Sequence, residues 1–315
     1  MNQSIISAER FHNEEEAYKF VESKLWPNGP VCPHCGTIGR SGKLNGKTYR
    51  IGLYKCYACR KPFTVKIGTI FEDSHIPLRY WLQAMYFMCT SKKGISANQL
   101  SRTLGVTLKT AWFMTHRIRY AMEQHPEGPF YGPVEMDETY VGGKFRTGSH
   151  AVKPGKRPKD RLSPFDNKAA VVSVLQRGGS VRSFHVQRVT AKNLKPIVEE
   201  MVAENAHLIT DESTVLESVG ANRKHSQVNH SEYEYVRIEG DEKITTNSIE
   251  GYFSILKRGI NGVYHHCGKQ HLHRYLAEFD FRYNNRVKLG VDDEQRADKA
   301  LLGVVGKRLT YTTPA

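Results

Sequence analysis

The chain has 315 residues, 39 % of them hydrophobic, which is enough apolar material for a substantial core and argues against wholesale disorder. Lysine and arginine number 46 against 32 acids, a net charge of +14, so a polyanionic partner is expected, nucleic acid first and an acidic membrane surface second. No apolar run is long enough to span a bilayer, and the polar, acidic stretch 1–16 is no secretory signal, so a soluble cytoplasmic protein with no membrane partner is expected.

An amphipathic helix is predicted over 14–25, ending in the turn Trp26-Pro27-Asn28-Gly29-Pro30. Two Cys-x-x-Cys knuckles follow, Cys32/Cys35 and Cys56/Cys59, with 20 residues between them. Each knuckle offers two thiolates to one ion, and the small hairpin expected between them brings the halves together. That is the pattern of a structural Zn²⁺ site of four cysteines, a zinc ribbon. A filled set of four leaves no position for His34 or for water. Cys89 and Cys267 stand alone and read as plain thiols in a reducing compartment. Residues 63–67 read as another short strand.

The segment 78–89 is helical and rich in large apolar side chains. Residues 94–104, Gly105 and 108–122 then have helix-turn-helix proportions. Leu100, Leu104, Val106, Ala111, Trp112 and Ile118 would form its core. Lys109, Thr110, His116, Arg117 and Arg119 would be left to meet phosphates or base edges of duplex DNA. The plainer reading is that these helices only cap the next domain. Pro126, Gly128, Pro129, Gly132 and Pro133 form a breaker cluster and mark a boundary.

Beyond it the texture changes to strands, predicted at 134–141, 169–175 and 181–189, the last two paired across Gly178-Gly179. A helix at 192–203 and a strand at 207–210 ending on Asp211 come next, with 233–238 as a fifth strand. Helices dominate from 247 to about 286. The stretch 144–168 holds eight lysines or arginines against two aspartates and reads as a basic loop. The four histidines His265, His266, His271 and His273 suggest hydrogen-bonded or DNA-facing groups ahead of a second metal site, because Gly268 interrupts any helix between them. Phe279, Phe281 and Tyr283 read as core, and Arg274, Arg282 and Arg286 as phosphate contacts or a solvated face. The tail 291–315 carries no signal.

Three acids stand out. Asp137 lies in Val-Glu-Met-Asp-Glu-Thr-Tyr, Asp211 ends His-Leu-Ile-Thr-Asp, and Glu250 sits in a helix whose apolar stripe is Ile249, Phe253, Leu256 and Ile260. Lys257 follows seven residues after Glu250, two turns along the same face. Such a set suits phosphodiester chemistry, because two Mg²⁺ (or Mn²⁺) ions need hard carboxylate oxygens to hold them. Single acids are more often solvated surface groups, and Glu135, Glu138, Glu212 and Asn247 compete with these three.

The order and spacing of these residues resemble the DDE transposases. Asp137-Glu-Thr-Tyr-Val-Gly-Gly-Lys144 and Thr246-Asn-Ser-Ile-Glu-Gly-Tyr-Phe-Ser-Ile-Leu-Lys-Arg-Gly259 are similar to the signatures of the ISXO2-like branch of insertion-sequence transposases. So are Tyr264-His-His, His271-Leu-His-Arg-Tyr275 and a zinc ribbon after Trp26-Pro27. The resemblance covers residues 10–286. It implies an RNase H-like catalytic domain with Asp137, Asp211 and Glu250 as ligands of two metal ions and Lys257 as the accompanying basic residue. Some relatives carry asparagine in the third position, which keeps Asn247 in play. The implied reaction is nicking at the ends of an element, then attack of the freed 3′-OH on target DNA, with no covalent protein–DNA intermediate.

The expected chain is therefore α+β: a zinc ribbon with its helix at 1–70, a helical DNA-binding segment at 71–128, an RNase H-like domain with a mixed five-stranded sheet at 129–290, and a tail at 291–315. Its partners would be the terminal inverted repeats and target DNA, with assembly as a homo-oligomer on that DNA. Two rivals are a non-catalytic DNA-binding regulator derived from a transposase, and a structure-specific nuclease of the same fold.

Overall fold

A computed structural model of the chain describes residues 4–124, 128–142 and 168–310. Up to its last residue, the basic loop expected at 144–168 lies outside the described residues. The chain divides into two compact units, 1–124 with 285–315, and 125–284.

The first unit opens with helix α1 (Glu14–Leu25), whose N-terminal amides at Glu15 and Glu16 are accepted by the Asn13 side chain. Glu14, Glu15 and Glu16 crowd its first turn, where negative charge complements the helix dipole. Three short antiparallel strands follow: β1 (Ser41–Lys43), β2 (Tyr54–Cys56) and β3 (Pro62–Phe63). So small a sheet has little to bury, and its core is a knot of rings. Trp26 packs edge-on to Tyr54 and Phe63 at 5.5 and 5.8 Å, beside the buried Cys32 and Cys56.

Helix α2 (Leu78–Thr90) buries Leu78, Trp81, Leu82, Met85 and Met88, an i, i+3, i+4 stripe. A proline precedes it and offers no side-chain cap. The Glu14 carboxylate supplies that role instead, accepting the Leu78 and Arg79 amides at 2.6 and 3.2 Å. Ser96 caps α3 (Ala97–Leu104), Gly105 ends it at φ +66°, and Thr107 caps α4 (Leu108–Ala121). A left-handed residue at that point needs no Cβ, so glycine fits the turn.

The second unit is built on one sheet. Its strands are β4 (Pro133–Val141), β5 (Ala169–Gln176), β6 (Val181–Val186), then helix α5 (Ala191–Met201), β7 (His207–Asp211), helix α6 (Thr214–Gly220) and β8 (His225–Val228). The order across the sheet is β6-β5-β4-β7-β8. The first three strands are antiparallel, while β4–β7 and β7–β8 are parallel. This is the mixed five-stranded sheet of an RNase H-like α+β domain. The fifth strand differs from expectation: it is His225–Val228, and residues 237–239 instead form β9 (Arg237–Glu239), paired only with β10 (Glu242–Ile244) as a separate hairpin.

Helices α7 (Asn247–Gly259) and α8 (Leu272–Asn284) complete the layers. Strand β5 is buried along nearly its whole length, as a central strand covered on both faces must be. Its even-numbered side chains Ala170, Val172 and Val174 pack with Val134 and Met136 against α5 and α6. Its odd ones, Ala169, Val171 and Leu175, pack with Ile249, Tyr252, Phe253 and Leu256 of α7 and with α8. Ser173 on that face joins Ser183, Tyr252 and the buried Asp280 in a closed hydrogen-bond network. Arg282 is also buried and ion-paired to Glu278, so it is no phosphate contact.

The C-terminal stretch returns to the first unit as α9 (Asp293–Leu302), started by an Asp292/Gln295 capping box. Its buried Arg296 donates to the carbonyls of Asn285, Cys89 and Val291. In the same unit, three residues expected to face DNA are buried: His116, Arg117 and Arg119 are between 1 and 5 % exposed. Arg117 spends its donors on the carbonyls of Ile70, Glu72 and Leu309, sites that water would otherwise have to satisfy. The exposed basic side chains of the helical segment are Lys92, Lys93, Arg102 and Lys109.

Candidate active site and metal centres

The four ribbon cysteines converge. Cys32, Cys35, Cys56 and Cys59 place their sulfur atoms within 4.8 Å of one another, with 3.6 Å between Cys32 and Cys59 and 3.7 Å between Cys35 and Cys56. Four sulfurs at a zinc–sulfur distance of about 2.3 Å in a regular tetrahedron would lie roughly 3.8 Å apart, so the donor set fits Zn²⁺. Hydrogen bonding with Thr37 pulls the Cys35 thiol down to about 6, whereas Cys59, despite its backbone hydrogen bond at Lys61, is raised by burial and the neighbouring sulfurs to about 11. His34 points elsewhere, with Nε2 3.3 Å from the Pro62 carbonyl.

The acidic site follows from strand register. The parallel pairing of β4 with β7 sets Pro133 beside His207, Val134 beside Leu208 and Glu135 beside Ile209. Continued two residues further, the same register brings Asp137 level with Asp211. The β4–β7 partners end two residues before that level, β7 itself ends on Asp211, and β4 runs on to Val141 paired with β5 alone. Asp137, Glu138 and Asp211 have carboxylate oxygens within 4.8 Å of one another. Burial first, then the charge of Asp211, pushes the Asp137 carboxyl up to about 7. The same two causes raise Glu138, one of whose oxygens is buried without a hydrogen-bond partner. Like charges gathered around an orphaned oxygen are a set that a divalent cation would satisfy, and carboxylates are the donors that Mg²⁺ or Mn²⁺ prefers.

Glu250 sits in the first turn of α7, close enough to add a small raising effect on Asp137. Its carboxylate accepts the Thr246 hydroxyl at 2.8 Å and lies 3.4 Å from His230 Nε2, rather than joining the tight group of three. Asn247 is exposed at the start of the helix, and Lys257 is exposed two turns after Glu250. Of the four histidines, His265 bonds through Nδ1 to the Asn261 carbonyl at 3.0 Å.

Two residues entered the sequence reading only as competitors of the three chosen acids. Glu138 was only a neighbour of Asp137, and nothing in the strand's two-residue alternation brings its carboxylate to the same place. Glu135 was another neighbour, yet it is fully buried and contacts both Arg177 and the start of α7. For Glu135 the signal was available: it stands two residues before Asp137, so a strand puts both on one face.

Two known families match the chain. The transposase zinc-ribbon domain covers residues 12–62, and the ISXO2-like transposase domain covers residues 129–284. The chain is 26 % identical over 280 residues to an uncharacterized protein in transposable element ISH50 of Halobacterium salinarum, spanning 86 % of this chain and 91 % of that protein. A solved chain from the simian T-cell lymphotropic virus intasome in complex with PP2A regulatory subunit B56 gamma is far looser. It shows 14 % identity and a TM-score of 0.26, covering 58 % of this chain and 63 % of that one, a little under two thirds of its length. Among the described residues no helix is long and apolar enough to cross a membrane. With a transposase zinc ribbon ahead of a transposase domain, and an insertion-element protein as a relative along most of its length, this chain belongs to the ISXO2-like transposases.

Proposed function

We propose that the chain binds the terminal inverted repeats of its element as duplex DNA and catalyses 3′-end cleavage followed by strand transfer. The observation that carries this reading is the convergence of Asp137 and Asp211 at the end of the β4–β7 pairing, with Glu250 nearby on α7. Asp137 and Asp211 are assigned as ligands of two divalent ions, with Glu138 beside them. Glu250 is the third ligand, with Asn247 its competitor. When bound, such a pair activates an attacking oxygen and stabilises a leaving one.

In the first reaction water attacks a phosphorus at the element end, the P–O3′ bond breaks, and a 3′-OH and a 5′-phosphate result. In the second, that 3′-OH bonds to a target phosphorus and the target's own O3′ departs with the proton. Lys257, exposed on the face of Glu250, is assigned to a DNA phosphate. The ribbon and the helices within 71–128 are the modules that hold the repeat, through Arg102 and Lys109 among others, and 129–290 is the catalytic domain. Copies of the chain assemble on the DNA.

The test is a nicking assay on terminal-repeat DNA with Mg²⁺ or Mn²⁺. Asp137→Ala should bind that DNA as tightly as the parent yet fail to nick it, and normal nicking by this variant removes Asp137 from the mechanism. Glu250→Ala and Asn247→Ala, compared side by side, identify the third ligand as whichever abolishes cleavage. Supplying a target plasmid separates strand transfer from a nuclease that cuts without joining, and absence of any metal-dependent nicking leaves a DNA-binding regulator.

A further inference from the structure

Only the first amide of helix α7 is met from its own sequence, that of Asn247 by Thr245 Oγ1 at 3.3 Å. Thr246, at the cap position, makes no side-chain bond to the helix amides, and its hydroxyl goes to Glu250 instead. The first-turn amides of Ser248 and Ile249 are both accepted, at 2.9 Å, by one oxygen of Glu135. That carboxylate belongs to β4, two residues before Asp137 and on the same face of the strand. Its other oxygen accepts Arg177 Nε at 2.9 Å. The remaining guanidinium nitrogens of Arg177 donate to the carbonyls of Lys243 at 2.6 Å and Thr245 at 2.9 Å, the stretch that leads into α7. Arg177 is itself fixed by its backbone amide, which bonds to the Pro133 carbonyl at the head of β4.

These bonds close a loop from the strand that carries Asp137 to the helix turn that carries Asn247 and Glu250. A fully buried carboxylate would be costly to keep ionised without them, and with three charge-assisted bonds it becomes a rigid strut. We propose that Glu135, oriented by Arg177, is a positioning residue that sets the placement of the α7 donors against Asp137, and thereby the affinity of the acidic site for divalent cations. This rests on reading that site as a divalent-cation site. The contacts admit little substitution. Glutamine at 135 must aim its amide group either at the Arg177 donor or at the two helix amides, leaving donors face to face. Lysine at 177 keeps the charge but cannot reach three acceptors in one plane.

The experiment measures Mn²⁺ binding to the full-length, zinc-loaded chain by the electron paramagnetic resonance of free Mn²⁺, together with amide exchange at Ser248 and Ile249. Glu135→Gln and Arg177→Lys should each weaken Mn²⁺ binding about tenfold, the scale usual for lost supports of metal ligands. Both variants should speed exchange at those two amides and leave DNA affinity within about twofold of the parent. A general loss of folding lowers the number of sites without moving the midpoint, so the midpoint distinguishes positioning from stability. If Glu135→Gln does not fold, Arg177→Lys decides alone. Mn²⁺ midpoints within twofold of the parent in the folded variants, with Asp137→Ala having lost binding, overturn this inference and leave the transposition reading intact. A parent that binds Mn²⁺ and responds to Glu135→Gln but never cuts DNA does the reverse.

Discussion

Asparagine at position 137 should make the metal-free protein more stable at pH 8 while abolishing its response to Mn²⁺. The Asp137 carboxyl is raised from 3.8 to about 7, first by burial and then by Asp211. A carboxyl whose pKa rises on folding binds its proton more tightly in the folded chain than in the unfolded one. Stability is therefore lost as pH climbs from near 4 to near 7, and the loss persists above that range. About three pK units at roughly 1.4 kcal/mol each set a ceiling near 4 kcal/mol on what the ionised group costs at pH 8. Asparagine removes that cost and keeps the bond its side-chain oxygen accepts from the Glu138 amide at 2.7 Å. The assay is urea unfolding in resin-treated buffer that leaves the ribbon zinc in place, followed by far-ultraviolet circular dichroism. Tryptophan fluorescence is silent here, because Trp26, Trp81 and Trp112 all lie in the first unit. The gain of Asp137→Asn over the parent should be small at pH 4, grow through pH 7 and then level off. Added Mn²⁺ should stabilise the parent by mass action and leave the variant unmoved. A variant no more stable than the parent at pH 8, or a gap that does not depend on pH, refutes the crowding of charge around Asp137.

Three further outcomes test the first unit. Cys56→Ser should lower bound zinc from about one per chain to near zero, measured by atomic emission, and expose the ribbon to proteolysis, since so small a core depends on its metal. Arg102→Ala and Lys109→Ala should each weaken terminal-repeat binding and reduce the salt slope by about one, read by fluorescence anisotropy across a salt series. Arg117→Met should instead destabilise the unit by about 2 kcal/mol or more, because the buried Ile70 carbonyl and the half-buried carbonyls of Glu72 and Leu309 lose their donor, with the salt slope of the folded fraction unchanged.

The residues differ in how openly they announce their roles. The cysteine knuckles carry their chemistry in their spacing, and the strand that ends on Asp211 is visible because an apolar run stops at an acid. The fifth strand was misplaced for an instructive reason. Tyr233, Tyr235, Val236 and Ile238 have strand-like composition but are exposed, whereas His225-Ser-Gln-Val228 looks polar and needs only Val228 to bury, being an edge. Arg117 and Arg119 depart from the expectation because charge on a helix usually faces water; the fold supplies the distant carbonyls that receive Arg117, and Arg119 turns to the Thr115 hydroxyl one turn back on its own helix. The shared face of Glu135 and Asp137 is legible in the sequence, but the contacts of Glu135 and Arg177 are not, because their partners lie 113 and 68 positions away along the chain.

The interruption of the first unit by residues 125–284 has a consequence for synthesis. Helix α9 leaves the ribosome only after that whole insertion, yet its Arg296 serves the Cys89 carbonyl at the end of α2. A polypeptide cut short anywhere before 293 would present an unfinished helical half, with the apolar flank of α2 bare. On the proposed function, abortive products of translation would be poorly equipped to compete with intact protein for DNA, because the half proposed to hold it is completed only after residues 125–284.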